Sequence, residues 1–174
     1  MKPSEHSKES LALALIYLME KKDYNDITVT DLAKRAGVSR LTFYRNFETK
    51  EQILVWHIEK GFQEYMDSLV KLEKMDLSSA LILCFEFWNT RKKEILIFIQ
   101  QNMSYIFLQP FDRCMVLMLN KIGVAGHFTE TQKQFLIGGM FMDMITWIQT
   151  GQKKSPHEVT KEILEMFSPE FLFR

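Results

Sequence analysis

From Ile27 to Leu54 the chain reads ITVTDLAKRAGVSRLTFYRNFETKEQIL, three helix starts and one glycine turn within 28 residues. Short helices packed across a tight turn can use punctuation that dense. Thr28 and Asp31 have the spacing at which a hydroxyl and a carboxylate satisfy the unpaired N–H groups of a helix start. Leu32, Ala33 and Ala36 follow at helical spacing and are small or apolar enough for another helix to cross closely. Gly37 then offers a position that tolerates positive φ, so the chain is expected to turn there. Ser39 can cap a second short helix, in which Phe43 and Phe47, at i and i+4, look inward. That leaves Arg40, Leu41, Thr42, Tyr44, Arg45 and Asn46 on the outer surface, a mixture able to bond phosphates and base edges and to touch thymine methyls. Thr49 with Gln52 forms another capping box. It places Lys50 in the first turn of the next helix, where the macrodipole disfavours a cation and something anionic is expected to compensate.

Charge agrees with this reading locally and limits it globally. Between Ile27 and Lys50, five basic residues (Lys34, Arg35, Arg40, Arg45, Lys50) face two acidic ones (Asp31, Glu48), a local +3 in a chain of zero net charge. This is no generally basic nucleic-acid coat: attraction to DNA must come from the patch and from doubling it. With 174 residues, 47% of them hydrophobic, the chain can bury a real core and has room for a second module.

The segment resembles the helix-turn-helix of the TetR family of bacterial transcriptional regulators, most specifically in AGVSRLTFYRNFETKEQIL, close to the family's G-V-S-x-x-T-x-Y-x-x-F-x-x-K-E-x-L pattern. The resemblance implies Thr28 and Tyr44 as phosphate contacts, and Lys50 as the phosphate-contacting lysine heading the fourth helix. Arg40, Leu41, Thr42 and Asn46 become groove-facing candidates beside the capping Ser39, with Gly37, Phe43 and Phe47 architectural. Plainer readings stand beside these: Tyr44 as cover for a helix junction, Arg45 as a solvated charge, Thr28 as a cap and nothing more. Arg40 is the candidate for direct base readout, since a guanidinium can bond guanine bidentately.

The rest of the chain reads as all-α. Proline and glycine are scarce and capping signals recur. Leu11, Ala14, Leu15 and Leu18 mark one face of a first helix. A long fourth helix runs from Thr49 to about Leu72; a fifth is capped by Asp76 and ends at Asn89. A sixth spans about Arg91 to Asn102, and a seventh, Ser104 to Lys121, must bend or break at Pro110. Thr129 with Gln132 opens an eighth helix that Gly151 closes, and Ser155, Pro156 and Glu158 open a ninth. The expected architecture is an N-terminal three-helix DNA-binding helix-turn-helix domain, residues 1–50. The fourth helix joins it to a helical ligand-binding and dimerisation domain, residues 51–174, about nine helices in all.

That second part is rich in aromatic and thioether side chains. Phe85, Trp88, Phe98, Met103, Phe107, Phe111, Met115 and Met144 are either ordinary core or the lining of a cavity for a small hydrophobic or amphipathic molecule. The resemblance favours a cavity, because TetR-like proteins usually bind an inducer there, although no polar constellation identifies it. Arg91, Lys92 and Lys93 form a basic run that is either solvated or open to an anion. In FLIGGMFMDMITW, residues 135–147, nearly every face is apolar, so the helix must be buried. Family members pair through their last two helices. This implies a homodimer interface through Phe135, Gly138, Gly139, Met142, Ile145, Val159, Ile163 and Met166, and a near-palindromic double-stranded DNA operator.

Other classes are excluded by what is missing. The four histidines have no metal or catalytic spacing, and no phosphate loop or nucleophile elbow occurs, so neither an enzyme nor a metal site nor a cofactor is expected. Cys84 and Cys114 read as buried thiols in a reducing compartment. No signal peptide or membrane span is visible, which points to a cytoplasmic protein. The expected function is a ligand-responsive repressor. The alternative is a DNA-binding adaptor or co-activator whose C-terminal part binds a protein, motivated by the apolar tail residues Phe167, Phe171, Leu172 and Phe173.

Overall fold

The structure, a computed structural model, describes residues 3–74 and 76–166. Among the described residues the regular elements are all helical. They are α1 (Pro3–Met19), α2 (Val29–Ala36), α3 (Arg40–Asn46), α4 (Lys50–Leu69), α5 (Leu77–Thr90), α6 (Lys92–Gln100), α7 (Leu108–Lys121), α8 (Glu130–Gln149) and α9 (Pro156–Glu165). Short 3-10 turns lie at Tyr24–Asp26, Ser104–Phe107 and Ala125–His127.

The starts fall where local capping chemistry puts them. Thr28, Thr129 and Ser155 each make a complete box with the residue three positions on. Ser39 accepts the Thr42 N–H at 3.0 Å, and Asp76 accepts the Ser79 N–H at 2.8 Å. At α4 the expected box is shifted: Thr49 Oγ1 accepts from Gln52 N–H at 3.2 Å, but the Gln52 carboxamide oxygen accepts from Glu48 N–H at 2.7 Å rather than from Thr49. Gly37 closes α2 at φ 67°, a left-handed conformation that costs a side-chain-bearing residue about 1–2 kcal/mol. The expected break in the seventh helix lies upstream of Pro110. The 3-10 turn takes Ser104–Phe107, and α7 begins at Leu108. Proline thus falls in the first turn, where its missing N–H has no helical partner to lose.

By internal contacts the chain forms two compact units. The first holds the described residues up to Lys60 together with Lys93–Phe107; the second holds Gly61–Lys92 and the described residues from Leu108 on. In the first, α1 packs on α2 and α3 around Leu11, Leu15, Leu32 and Phe43, all buried. Ile53, Leu54, Ile58, Ile95, Phe98 and Phe107 are buried as well. In the second, α5 packs on α9 and α7 on α8. Its aromatic rings meet edge to face: Phe62 with Trp88 at 4.6 Å, Phe85 with Trp147 at 5.4 Å, Phe111 with Phe141 at 5.6 Å. Cys84 and Cys114 are buried here as free thiols, and burial pushes the Cys114 thiol up to about 12, so it stays protonated and unreactive near neutrality. No helix of the described residues is long and apolar enough to cross a membrane.

Candidate functional site

Three features build the surface around α3. The Thr28 box fixes the start of α2: Thr28 Oγ1 accepts the Asp31 N–H at 3.1 Å, and the Asp31 carboxylate accepts from the Thr28 N–H at 3.1 Å and its hydroxyl at 2.8 Å. Lys22 adds an ion pair to the same carboxylate at 2.8 Å. That ammonium, followed by the Thr28 hydroxyl and N–H, holds the Asp31 carboxyl down at about 2, against an ordinary 3.8. A lowered carboxyl stabilises the fold above its ordinary value and loses that contribution as pH falls through about 2. Loss of the N-cap in Thr28→Ala is expected to cost about 1 kcal/mol by urea unfolding at neutral pH. Repeating the titrations from pH 5 to pH 2 should show an acid loss that Asp31→Asn largely removes. A pH profile identical in the two proteins would mean that the box carries no such linkage.

The second feature is α3 itself. Phe43 is buried and Phe47, its C-cap, nearly so, which turns the opposite face outward. Arg40 and Arg45 are exposed, Leu41 is 66% exposed, and Tyr44 is 53% exposed with its ring edge resting on Phe43 at 5.0 Å. Ser39, Thr42 and Asn46 are tied to one another. The two hydroxyls lie 2.9 Å apart, and Asn46 Nδ2 donates to the Thr42 carbonyl at 2.7 Å. Among the groove-facing candidates, Arg40 and Leu41 thus stand farthest out, and the shorter polar side chains shape the helix beneath them.

Lys50 is the third feature, and main-chain carbonyls supply its nearest partners. Its ammonium donates to the carbonyls of Tyr24 at 2.7 Å and Ile27 at 2.6 Å, and lies over the Tyr24 ring at 4.3 Å from the centroid. Carbonyl dipoles and a π face hold the cation, Asp23 and Asp26 add favourable charge, and burial lowers its pKa. Burial also pushes the Tyr24 phenol up to about 12, so it stays neutral. Beside this surface, Leu18, Lys22, Asp31, Lys34 and Arg35 line an open cleft of about 360 Å³, where Arg35 stacks on Tyr17 at 3.9 Å.

The other candidates separate. Phe98, Met103 and Phe107 are buried in the first unit, whereas Phe85, Trp88, Phe111, Met115 and Met144 are buried in the second. Among the interface candidates, Ile145, Val159 and Ile163 are buried within the chain, where α8 packs on α7 and α9 on α5. Phe135 is 84% exposed, Met142 59% and Met166 74%, with Gly139 exposed and Gly138 half-buried between the first two. The expectation that α8 is apolar on nearly every face meets one buried face and one bare stripe. In the basic run, Arg91 pairs with Glu64 and lies on the Phe87 ring, and Lys93 pairs with Glu20 at 2.7 Å. Side-chain carboxylates stand there in place of an external anion. The tail residues Phe167, Phe171, Leu172 and Phe173 lie outside the described residues.

One polar residue escaped the sequence reading altogether. Gln101, just past α6, donates from Nε2 to the carbonyls of Met19 at 2.7 Å and Lys22 at 3.1 Å, and accepts the Tyr24 N–H at 2.9 Å. The only sequence hint is its place two residues past the apolar run ILIFI, and that hint names no partner.

The chain is similar to proteins of known description. Residues 14–55 match the family described as bacterial regulatory proteins, tetR family. The dhaKLM operon transcriptional activator DhaS of Lactococcus lactis is 25% identical over 138 residues, 78% of this chain and 74% of that one. EthR of Mycolicibacterium smegmatis, an HTH-type transcriptional regulator, is 38% identical over 76 residues, 39% of this chain and 35% of its own. Among solved structures, the FadR regulator of Bacillus subtilis in complex with stearoyl-CoA superposes with a TM-score of 0.58 at 18% identity, covering 95% of this chain and 97% of that one.

Proposed function

Since the chain belongs to the TetR family and is a DNA-binding transcriptional regulator, we propose that it works in the cytoplasm as a homodimeric, ligand-responsive repressor of a near-palindromic operator. The observation that carries the DNA reading is α3, whose buried Phe43 leaves Arg40, Leu41 and Tyr44 exposed on a helix fixed by Ser39. In this reading Arg40 reads a base edge, Leu41 and Thr42 fill the groove, Asn46 braces the helix, and Thr28, Tyr44 and Lys50 meet phosphates. Residues 1–50 read DNA and residues 51–174 bind the ligand and dimerise. Phe135, Met142 and Met166 form the apolar centre of the two-fold interface, and the glycines between the first two let the partner helix approach.

For the ligand we propose a small hydrophobic or amphipathic molecule held among the buried aromatic and Met side chains of the second unit. The likeness to a FadR solved with stearoyl-CoA supports that class. Such a ligand relieves repression by its differential affinity for the free and DNA-bound states, about 1–3 kcal/mol of coupling in typical cases. The close ring-to-ring packing around Phe85, Trp88 and Phe111 favours a second reading, an adaptor or co-activator without a small molecule.

Fluorescence anisotropy against a labelled duplex from the region upstream of its own gene tests the first step. Tight, competitor-resistant binding is expected, with Arg40→Ala losing about 1–3 kcal/mol of discrimination at one base position per half-site. An Arg40→Ala protein with undiminished sequence preference would remove Arg40 from the reading surface. Stearoyl-CoA titrated into the complex should release the DNA if the ligand class is right, and the adaptor reading predicts no release.

A further inference from the structure

We infer that Gln101 is a positioning residue for DNA binding: one carboxamide outside the helix-turn-helix sets the main chain that delivers α2, and through it α3, to the DNA. The inference rests on the regulator reading above and adds a residue that touches no nucleic acid.

A helix leaves its last carbonyls unpaired, and the turn that follows must satisfy them or lose them to water. Here the turn after α1 takes its partners from far along the chain. Gln101 offers two N–H donors and an acceptor oxygen, and all three functions are used, on Met19, Lys22 and Tyr24. The same turn supplies the Tyr24 and Ile27 carbonyls that hold Lys50. The next residue is Thr28, the cap of α2. Gln101 and Lys50 thus grip one stretch of nine residues, Met19 to Ile27, immediately before the helix that sets α3.

The segment that carries Gln101 is itself firmly placed. Lys93–Phe107 belongs to the same compact unit as α1, α2 and α3. Near its start Lys93 pairs with Glu20, and the Glu94 carboxylate lies 2.7 Å from His57 Nε2 on α4. Ile95, Ile97, Phe98, Met103, Ile106 and Phe107 are buried along it. A brace held near one end by the Lys93–Glu20 ion pair and the approach of Glu94 to His57, and along its length by apolar packing, can impose a position on the turn at its other end. Binding geometry is sensitive to displacements of about 1 Å, so loss of the brace is expected to weaken DNA binding without removing a single contact to DNA.

Gln101→Leu removes all three hydrogen bonds at similar volume. Gln101→Glu keeps an acceptor for the Tyr24 N–H and sets a carboxylate against two carbonyls. Both are measured by anisotropy on the upstream duplex, at a temperature where circular dichroism shows each protein fully folded, and across salt concentrations. Gln101→Leu is expected to bind about tenfold more weakly with the wild-type salt slope, since no phosphate contact is lost. Hydrogen exchange at the Tyr24 amide should accelerate in Gln101→Leu and much less in Gln101→Glu. A residue that served only global stability would leave the affinity of a fully folded protein unchanged. A folded variant that binds like wild type overturns the inference, and if Gln101→Leu does not fold, Gln101→Glu decides it by the same readout. Wild-type protein that binds neither the upstream duplex nor unrelated DNA at low salt would instead overturn the regulator reading, and this inference with it.

Discussion

Lys50→Ala should weaken binding to every DNA sequence by about tenfold near 0.1 M salt, flatten the salt dependence by about one unit of slope, and lower the melting temperature as well. The DNA effect follows from the proposed phosphate contact. The stability effect follows from the structure, because two of the three ammonium donors are given to the carbonyls of Tyr24 and Ile27. Hydrogen bonds from a charged donor contribute about 1.5–3 kcal/mol, which for a chain of this size is roughly 4–10 °C in Tm. Lys50→Gln separates the two roles: its carboxamide can still donate to the turn, while the charge that releases counterions is gone. Stability should therefore be partly restored and the salt slope should not. If Lys50→Ala keeps the full salt slope and loses only Tm, Lys50 is a structural staple and the phosphate contact belongs to another residue.

Phe135→Glu combined with Met142→Glu should convert the proposed dimer to a monomer by light scattering and cost 100-fold or more in affinity for a two-half-site operator. Both side chains stand bare on α8, at 84% and 59% exposure. In the proposed dimer a two-fold axis would bring four of them together, about 6–12 kcal/mol of gross apolar burial before the cost of association. Carboxylates at those positions remove that burial and add repulsion between like charges. Binding to a single half-site should be nearly unaffected, because Phe135 and Met142 lie in the other compact unit from α3. Ile145→Ala or Ile163→Ala is a useful contrast. Those side chains are buried within the chain, so truncation should cost about 2–5 kcal/mol of folding stability rather than selectively dissociate a dimer. A Phe135→Glu, Met142→Glu protein that still scatters as a dimer would move the interface elsewhere.

The helix starts were legible because capping is local. A hydroxyl and a carboxylate or carboxamide three residues apart can exchange hydrogen bonds with the backbone at a helix start, so Thr28 with Asp31, Thr129 with Gln132, and Ser155 with Glu158 announce their helices from the sequence. Even there, α4 shows the limit. Its glutamine reaches Glu48 instead of Thr49, a one-residue choice that depends on how the chain enters the helix. The outward side chains of α3 were legible for a related reason: two phenylalanines at i and i+4 define an inner face, and Arg40, Leu41, Tyr44 and Arg45 follow by subtraction, whereas Thr42 and Asn46, assigned outward by the same rule, are half-buried.

Sequence alone thus determined what depends on neighbours within one helical turn: the all-α character, the glycine turn at Gly37 and the residues exposed on α3. Tertiary structure decided what depends on partners distant in the chain. Gln101 finds its three partners 77 to 82 residues away, and Lys50 finds its carbonyls 23 and 26 residues back. Which apolar residues of α8 and α9 are core and which are bare was likewise open, since Ile145 and Phe135 are equally hydrophobic on paper. Hydrogen bonds and burial are settled by the groups that meet in space, and periodicity along a helix says which residues share a face but not what covers it.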